Sequence, residues 1–415
     1  MSNNYIDSKK NKVHRTKLYL LPLFILIVNQ SINTSAFSPK QVITDLSAQE
    51  DSSQLIIRGF AYIVSLVFFI INFKENIKLL RTRKLFLLFL LFFISSMNWS
   101  GFPVKVFINW GHLVGLMLIV MSARVYFLEN TEKIFPTFSV FFFVCVLLSF
   151  VFVIAVPSIG INQDGRWQGI SGNANSLGVI TIVSIWAALA RIYKKVGELW
   201  VTLLILILSI IVLIGSGSKT SYIVSFFVFL FMHLLISLES SSVFKRLIVI
   251  GLWGGLGAIV FTSIVIMAPE LLGLDGVMNA LGRNATFSGR TIVWEHAWKL
   301  FQVKFVHGWG FDSTLSVIKY TGGRLGQFHN GYLDILVRGG VVGLGIVLLM
   351  IFTLLKKLFL IKKEGYRTAV IFLSIVVAIL IHNISEASLV RGSHMLWVVF
   401  MFIYFNYENV KDRNV

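Results

Sequence analysis

An imidazole, an amide and, further upstream, a guanidinium fall in one long polar stretch of a largely apolar chain, and these are groups that can move a proton and hold an anion. His329 and Asn330 fall in GQFHNGYLDILVRGG, and Arg290 opens SGRTIVWEHAW upstream of them. An imidazole can take a proton near neutral pH, which suits general-base work in an aqueous compartment. A guanidinium presents a planar fork that matches phosphate oxygens. Taken alone, a single histidine is more often a structural hydrogen-bonding residue. Arg290, for its part, could pair with Glu295 or with a lipid headgroup. The residues by themselves leave both alternatives open.

Further cations and amides lie at the ends of other apolar runs. Arg283 and Arg324 belong to the same polar stretch as His329. Arg166 sits in INQDGRWQGISGNANS with Asp164, Trp167, Asn173 and Asn175, a mixture of aromatic and amide groups that suits carbohydrate. Lys219 lies in GSGSKTS, which is not a nucleotide-binding P-loop because no glycine precedes the lysine and the spacing of the first glycine is wrong. There is no H-E-x-x-H, and the histidines are scattered, so no metal is expected. The single cysteine, Cys145, lies inside an apolar run, which rules out an intrachain disulfide and reads as packing.

The elements that must position these groups are membrane helices. Over 415 residues the chain is 56% hydrophobic and only 13% charged, with a mean hydropathy of +0.81. That is too apolar for a water-soluble domain of this size. Runs long enough to span a bilayer, or nearly so, centre on 18–36, 55–73, 85–99, 104–121, 136–156, 175–191, 199–215, 221–238, 247–267, 340–360, 368–384 and 394–407, which predicts about twelve transmembrane helices. If the N-terminus is cytoplasmic, that side carries 24 of the 37 Lys and Arg residues, so both termini are expected inside. The net charge of +18 then reflects orientation in the bilayer and not nucleic-acid binding. The first run ends near Thr34-Ser35-Ala36, which resembles a secretory cleavage site. An uncleaved first span is expected, because the later spans need no separate targeting peptide.

The fold class is therefore all-α: a polytopic membrane bundle with one long outside loop, from about Ala268 to Gly339, that contains short amphipathic helices. A loop of that length in a compact membrane protein is usually functional. Within it, 288–301 predicts a helix capped by Ser288, with Ile292, Trp294, Ala297, Trp298 and Phe301 on its apolar face, lying along the membrane surface. Arg290 in its first turn opposes the helix dipole, which suggests a partner anion there. Tyr332, Leu333, Ile335 and Leu336 predict a second short helix, after which Gly339-Gly340 turn the chain into the next span. The expected divisions are 1–198 (the first six spans), 199–360 (a core containing the loop 268–339) and 361–415 (the last spans).

These residues resemble a known pattern. His329-Asn330, nine residues, then Gly340-Val341-Val342-Gly343 resembles the H-N-x9-G-x-x-G signature of the O-antigen ligase and O-antigen polymerase superfamily. Ser288-Gly289-Arg290, with Trp294 and then Gly308-Trp309-Gly310-Phe311, resembles that family's "SGR…W…G-x-G" stretch. The likeness covers roughly Leu199 to Leu360. It implies a glycosyltransferase of the bacterial inner membrane that moves a glycan from undecaprenyl diphosphate to an acceptor hydroxyl at the periplasmic face, without a metal or other cofactor. By the resemblance, His329 activates the acceptor and Arg290 binds the departing diphosphate, while Lys219, Arg324, Arg283, Arg166 and Asn330 are candidates for holding substrate. A single displacement of this kind inverts the anomeric centre. One departure from the pattern is Ser216-Gly217-Ser218-Lys219, where the family commonly has arginine at the last position. Lysine keeps the charge and loses the fork, so Arg283 or Arg324 could substitute. The acceptor is a lipid A core or similar for a ligase, and another glycan repeat for a polymerase. A flippase or secondary transporter would also have about twelve spans. Such proteins favour paired repeats and charges at the bilayer midplane, and here intramembrane acids are almost absent.

Overall fold

The computed structural model describes residues 17–32, 52–239, 251, 290–312, 314–322, 328–361, 365–392 and 394–407. Among the described residues every regular element is a helix, apart from one isolated bridge between Ile161 and Trp167. Eight helices are long and apolar enough to cross a membrane: Ser52–Ile71, Pro103–Glu129, Thr131–Ala155, Ala174–Lys194, Leu199–Ser216, Lys219–Leu238, Gly331–Phe359 and Tyr366–Ser385. Three shorter apolar helices, Leu18–Ser31, Lys84–Asn98 and Met395–Asn406, accompany them. Each falls on one of the apolar runs of the sequence. The remaining run, 247–267, lies outside the described residues. The protein is thus a multipass membrane protein built of helices, as a solvent without hydrogen-bonding groups requires.

The chain forms two compact units. The first comprises Met1–Leu90, Trp110–Ser221 and Gly392–Val415. At its centre the Ala174–Lys194 helix packs between its neighbours Ile134–Ala155 and Leu199–Ser216. It is buried along nearly its whole length and correspondingly apolar all round. Asn173 caps its start by accepting from the N–H groups of Asn175 and Ser176. Small hydroxyl side chains join these helices where apolar contact alone gives no direction, as in the Ser184–Ser209 hydrogen bond of 2.8 Å.

The second unit comprises Leu91–Asn109 and Tyr222–Arg391. The expected loop helix runs over Arg290–Val303, and Ser288 lies outside the described residues. Its buried face matches the expected one at Ala297 and Phe301 and departs from it at Trp298. Ala297, Leu300 and Phe301 are buried and Val293 packs beside them, whereas Trp298 is 49% exposed. The reason is Trp309, whose indole inserts into the same cluster and donates to the Leu300 carbonyl at 2.9 Å. A further helix, Leu315–Thr321, is too short to announce itself by periodicity and closes the cluster with Val317.

The Gly331–Phe359 helix is broken at Gly340, where φ is +61° and ψ is −164°. In a continuous helix the N–H groups of Val341 and Val342 would donate to the carbonyls of Val337 and Arg338. Here all four groups pair with the chain segment around Gly308-Trp309-Gly310. Trp309 and Gly310 donate to Val337 and Arg338 at 2.8 and 3.0 Å, while Val341 and Val342 donate to Phe305 and Val306 at 3.0 and 3.2 Å. An inserted segment replaces this part of the helix's own ladder and gives these four backbone groups partners at the break. Two parts of the sequence pattern, the paired glycines and the G-W-G-F stretch, are therefore one structural joint.

Candidate active site

His329 precedes the broken helix and has a left-handed backbone, φ +49°. A non-glycine residue there is uncommon, though histidine is among those that tolerate it. Asn330 is the N-cap. Its side-chain oxygen accepts from Tyr332 and Leu333 N–H at 3.0 Å each, and its Nδ2 donates to the Ile384 carbonyl at 3.0 Å. Both ends of the amide expected to hold substrate are thus committed to the backbone. Gly331 donates to the Glu386 carbonyl at 3.0 Å. It has to be glycine, because a β-carbon would collide with the side-chain oxygen of Asn383.

That asparagine organises the segment facing His329. Fully buried, it accepts from Ser388 and Leu389 N–H and donates to the Ile379 carbonyl and the Ser388 hydroxyl. The turn it shapes brings Glu386 Oε2 to 3.5 Å from Nδ1 of His329. The carboxylate is nearly buried, whereas the imidazole is 35% exposed. A carboxylate facing Nδ1 favours the proton there and leaves Nε2 as the acceptor. One turn into the helix, the fully buried carboxylate of Asp334 pairs with Arg338 through one oxygen and with Arg391 through the other, the latter at 3.2 Å. Arg338 also lies over the ring of Phe311 at 5.3 Å, which ties the site to the G-W-G-F joint.

Arg290 is the first residue of its helix, and its side chain lies outside what is described. Glu295 accepts from Lys299 at 2.7 Å, a bond that holds its carboxyl below the usual carboxylate range. Arg283 and Arg324 lie outside the described residues. In the first unit, Arg166 donates through Nε to the Ser216 carbonyl at 2.9 Å and through Nη2 to Asn175 at 2.7 Å. Lys219 begins the helix just beyond that turn and is exposed. The sequence pattern thus brings together Arg166 with the 216–219 turn in one unit, and His329 with Asn330 in the other. Among the described residues no three His, Cys, Asp or Glu side chains converge as a metal site would require.

Residues 204–348 match the family model described as O-Antigen ligase. The match covers about a third of the chain and supports a likeness to the O-antigen ligase and polymerase superfamily over that segment. The O-antigen ligase segment contains Lys219, Arg290, His329 and Asn330 together with the joint at Gly340. We find no match among curated proteins.

Glu386 and Arg391 were missed by reading the sequence, and both lie beyond the matched segment. A signal was there to be read: Glu386 is the only acid between the last two apolar runs, in HNISEASLVRG. Nothing in one dimension ties that segment to His329.

Proposed function

We propose that the protein is a periplasmic-face glycosyltransferase of the O-antigen ligase type, moving a glycan from undecaprenyl diphosphate to an acceptor hydroxyl such as that of a lipid A core. The family match over residues 204–348 supports a membrane ligase or polymerase. The observation that carries the finer reading is the exposed imidazole of His329 backed by the nearly buried carboxylate of Glu386. By the distribution of Lys and Arg, this site lies on the side opposite the termini, the periplasmic side of a twelve-span protein in the inner membrane.

In this reading Nε2 of His329 takes the proton of the acceptor hydroxyl as the oxygen bonds to the anomeric carbon. The bond from that carbon to the diphosphate oxygen breaks on the opposite face, its electron pair leaves with the diphosphate, and the centre inverts. Glu386 holds the imidazole in one tautomer and stabilises the imidazolium that forms. Growing charge on the leaving group is met by guanidinium groups, with Arg290 first and Arg283 and Arg324 as further candidates. Base and cations are supplied by side chains, so the step requires neither a metal nor a nucleotide sugar.

The family match equally accommodates a polymerase that joins lipid-linked repeat units to each other. The glycolipids that accumulate in a strain lacking the protein distinguish the two. Unlinked long chains on the carrier indicate a ligase, and single repeat units indicate a polymerase. Turnover of a lipid-linked glycan by purified protein in detergent, with no gradient present, excludes transport as the explanation. Purified protein that transfers nothing from such a donor overturns the proposal.

A further inference from the structure

We propose that the protein holds an anionic phospholipid between the Leu18–Ser31 helix and the Thr131–Ala155 span, with the phosphate seated on Lys17 and Lys133 and an acyl chain in the groove beside them. The site is separate from the transferase reading and does not depend on it.

A cavity of about 590 Å³ lies between these two helices, and Tyr126 of the Pro103–Glu129 helix forms part of its wall. All three helices belong to the first unit. The volume falls in the range of sites that take small organic ligands. Leu21, Phe24, Val140 and Phe141 make the wall apolar along most of its length, and the rings of Phe24 and Phe141 meet at 4.9 Å. Leu21 and Val140 are exposed, so the groove opens sideways, toward the lipid that surrounds a multipass protein.

The polar groups of the groove are those that a lipid phosphate requires. Lys17 immediately precedes the first helix and Lys133 stands in the first turn of the other, and both are exposed and line the groove. Among the described residues no carboxylate pairs with either ammonium. Tyr126 is 3% exposed, and its hydroxyl makes no hydrogen bond among the described residues. A buried polar group is normally paired, so this hydroxyl is a donor for a bound oxygen. Two cations and a hydroxyl beside an apolar groove match a phosphodiester that carries acyl chains. A zwitterionic headgroup would bring its own cation up to the lysines, and an uncharged apolar molecule would leave them unanswered. Against Glu129 and Glu132 in the connecting turn, the second of which acts on the Tyr126 hydroxyl, stand both lysines and the sequence that runs into Lys17. That sequence adds Lys9, Lys10, Lys12 and Arg15, with no acid after Asp7. Basic clusters beside a membrane helix attract anionic lipid, and the distribution of Lys and Arg assigns this end of the helices to the cytoplasmic leaflet, whose surface potential is negative.

The test is binding of phosphatidylglycerol and of phosphatidylcholine with matched acyl chains to the purified full-length protein in mixed detergent micelles. Retained lipid is read by native mass spectrometry, and stabilisation as a shift in thermal midpoint. Phosphatidylglycerol is expected to raise the midpoint by several degrees and phosphatidylcholine to leave it in place. Lys17→Gln combined with Lys133→Gln should weaken phosphatidylglycerol binding by roughly ten- to thirtyfold and remove the preference. Lys74→Gln combined with Lys78→Gln, which replaces exposed lysines that do not line the groove, should keep it. Val140→Trp fills the groove with both lysines intact and should weaken binding about tenfold. The proposal fails if the two lipids bind alike or if the Lys17 and Lys133 variant retains the preference. It fails if the Lys74 and Lys78 variant loses as much, since the attraction then belongs to the basic surface as a whole. Wild-type affinity in Val140→Trp overturns the groove as the seat of the acyl chain. A wild type that retains no lipid but forms a dimer that Val140→Trp abolishes assigns the groove to a second copy of the chain and overturns the proposal.

Discussion

A β-carbon on Gly340 would occupy the place already taken by the carbonyl of Val306, and the backbone there has φ +61° and ψ −164°. Only glycine visits that region at low cost, and a side chain forced into it costs about 1–3 kcal/mol before any clash is counted. Gly340→Ala is therefore expected to lower the unfolding midpoint by several degrees and to reduce activity by displacing the segment around Trp309. A melting curve in detergent matching that of the wild type would show that the joint is not needed.

His329 offers a separation of fold from chemistry. Its left-handed backbone favours glycine by roughly 1–2 kcal/mol over a residue with a β-carbon. His329→Gly should abolish glycan transfer while unfolding no earlier than the wild type, with both read on the same preparation. Residual transfer near the wild-type rate would remove the proposed base.

Replacing Glu386 by glutamine keeps the shape and removes the charge that faces Nδ1. The expected result is a fall in kcat of roughly 10²-fold, the order of a general-base contribution, with the donor KM little changed. Single-turnover rates measure this directly. A variant that loses donor affinity instead would place Glu386 in binding and not in orienting the base.

Asp334→Ala leaves Arg338 and Arg391 without the carboxylate that neutralises both. Breaking a buried pair by removing one partner typically costs about 3–5 kcal/mol. The variant should be recovered in low yield or melt well below the wild type. Asp334→Asn, which can still accept hydrogen bonds, should fall between the two. Unaltered melting of Asp334→Ala would mean that water reaches the guanidinium groups.

Arg290→Lys tests the role that the sequence pattern implies for that residue. Charge without the fork should cost most of the transfer activity, measured as kcat/KM for the lipid-linked donor. Wild-type turnover in that variant would assign Arg290 to the stability of the Arg290–Val303 helix.

The sequence by itself determined the solvent of this protein and the places of its helices. Apolar runs of membrane length leave the backbone no alternative to helix, because lipid offers no hydrogen bonds. Within the segment matched by the O-antigen ligase model it also singled out His329, Arg290 and Lys219 as candidates, because such chemistry demands particular side chains at particular spacings. Tertiary structure alone decided what faces them. Glu386 and Arg391 reach the site only because Asn383 turns the chain back toward Gly331 and the two segments lock by ionic rungs. In the same way, Trp309 and not Trp298 fills the apolar cluster because the break at Gly340 needs partners for four backbone groups, a requirement no local pattern expresses. Such contacts join residues far apart in the chain, and their strength depends on burial, which only the folded arrangement creates.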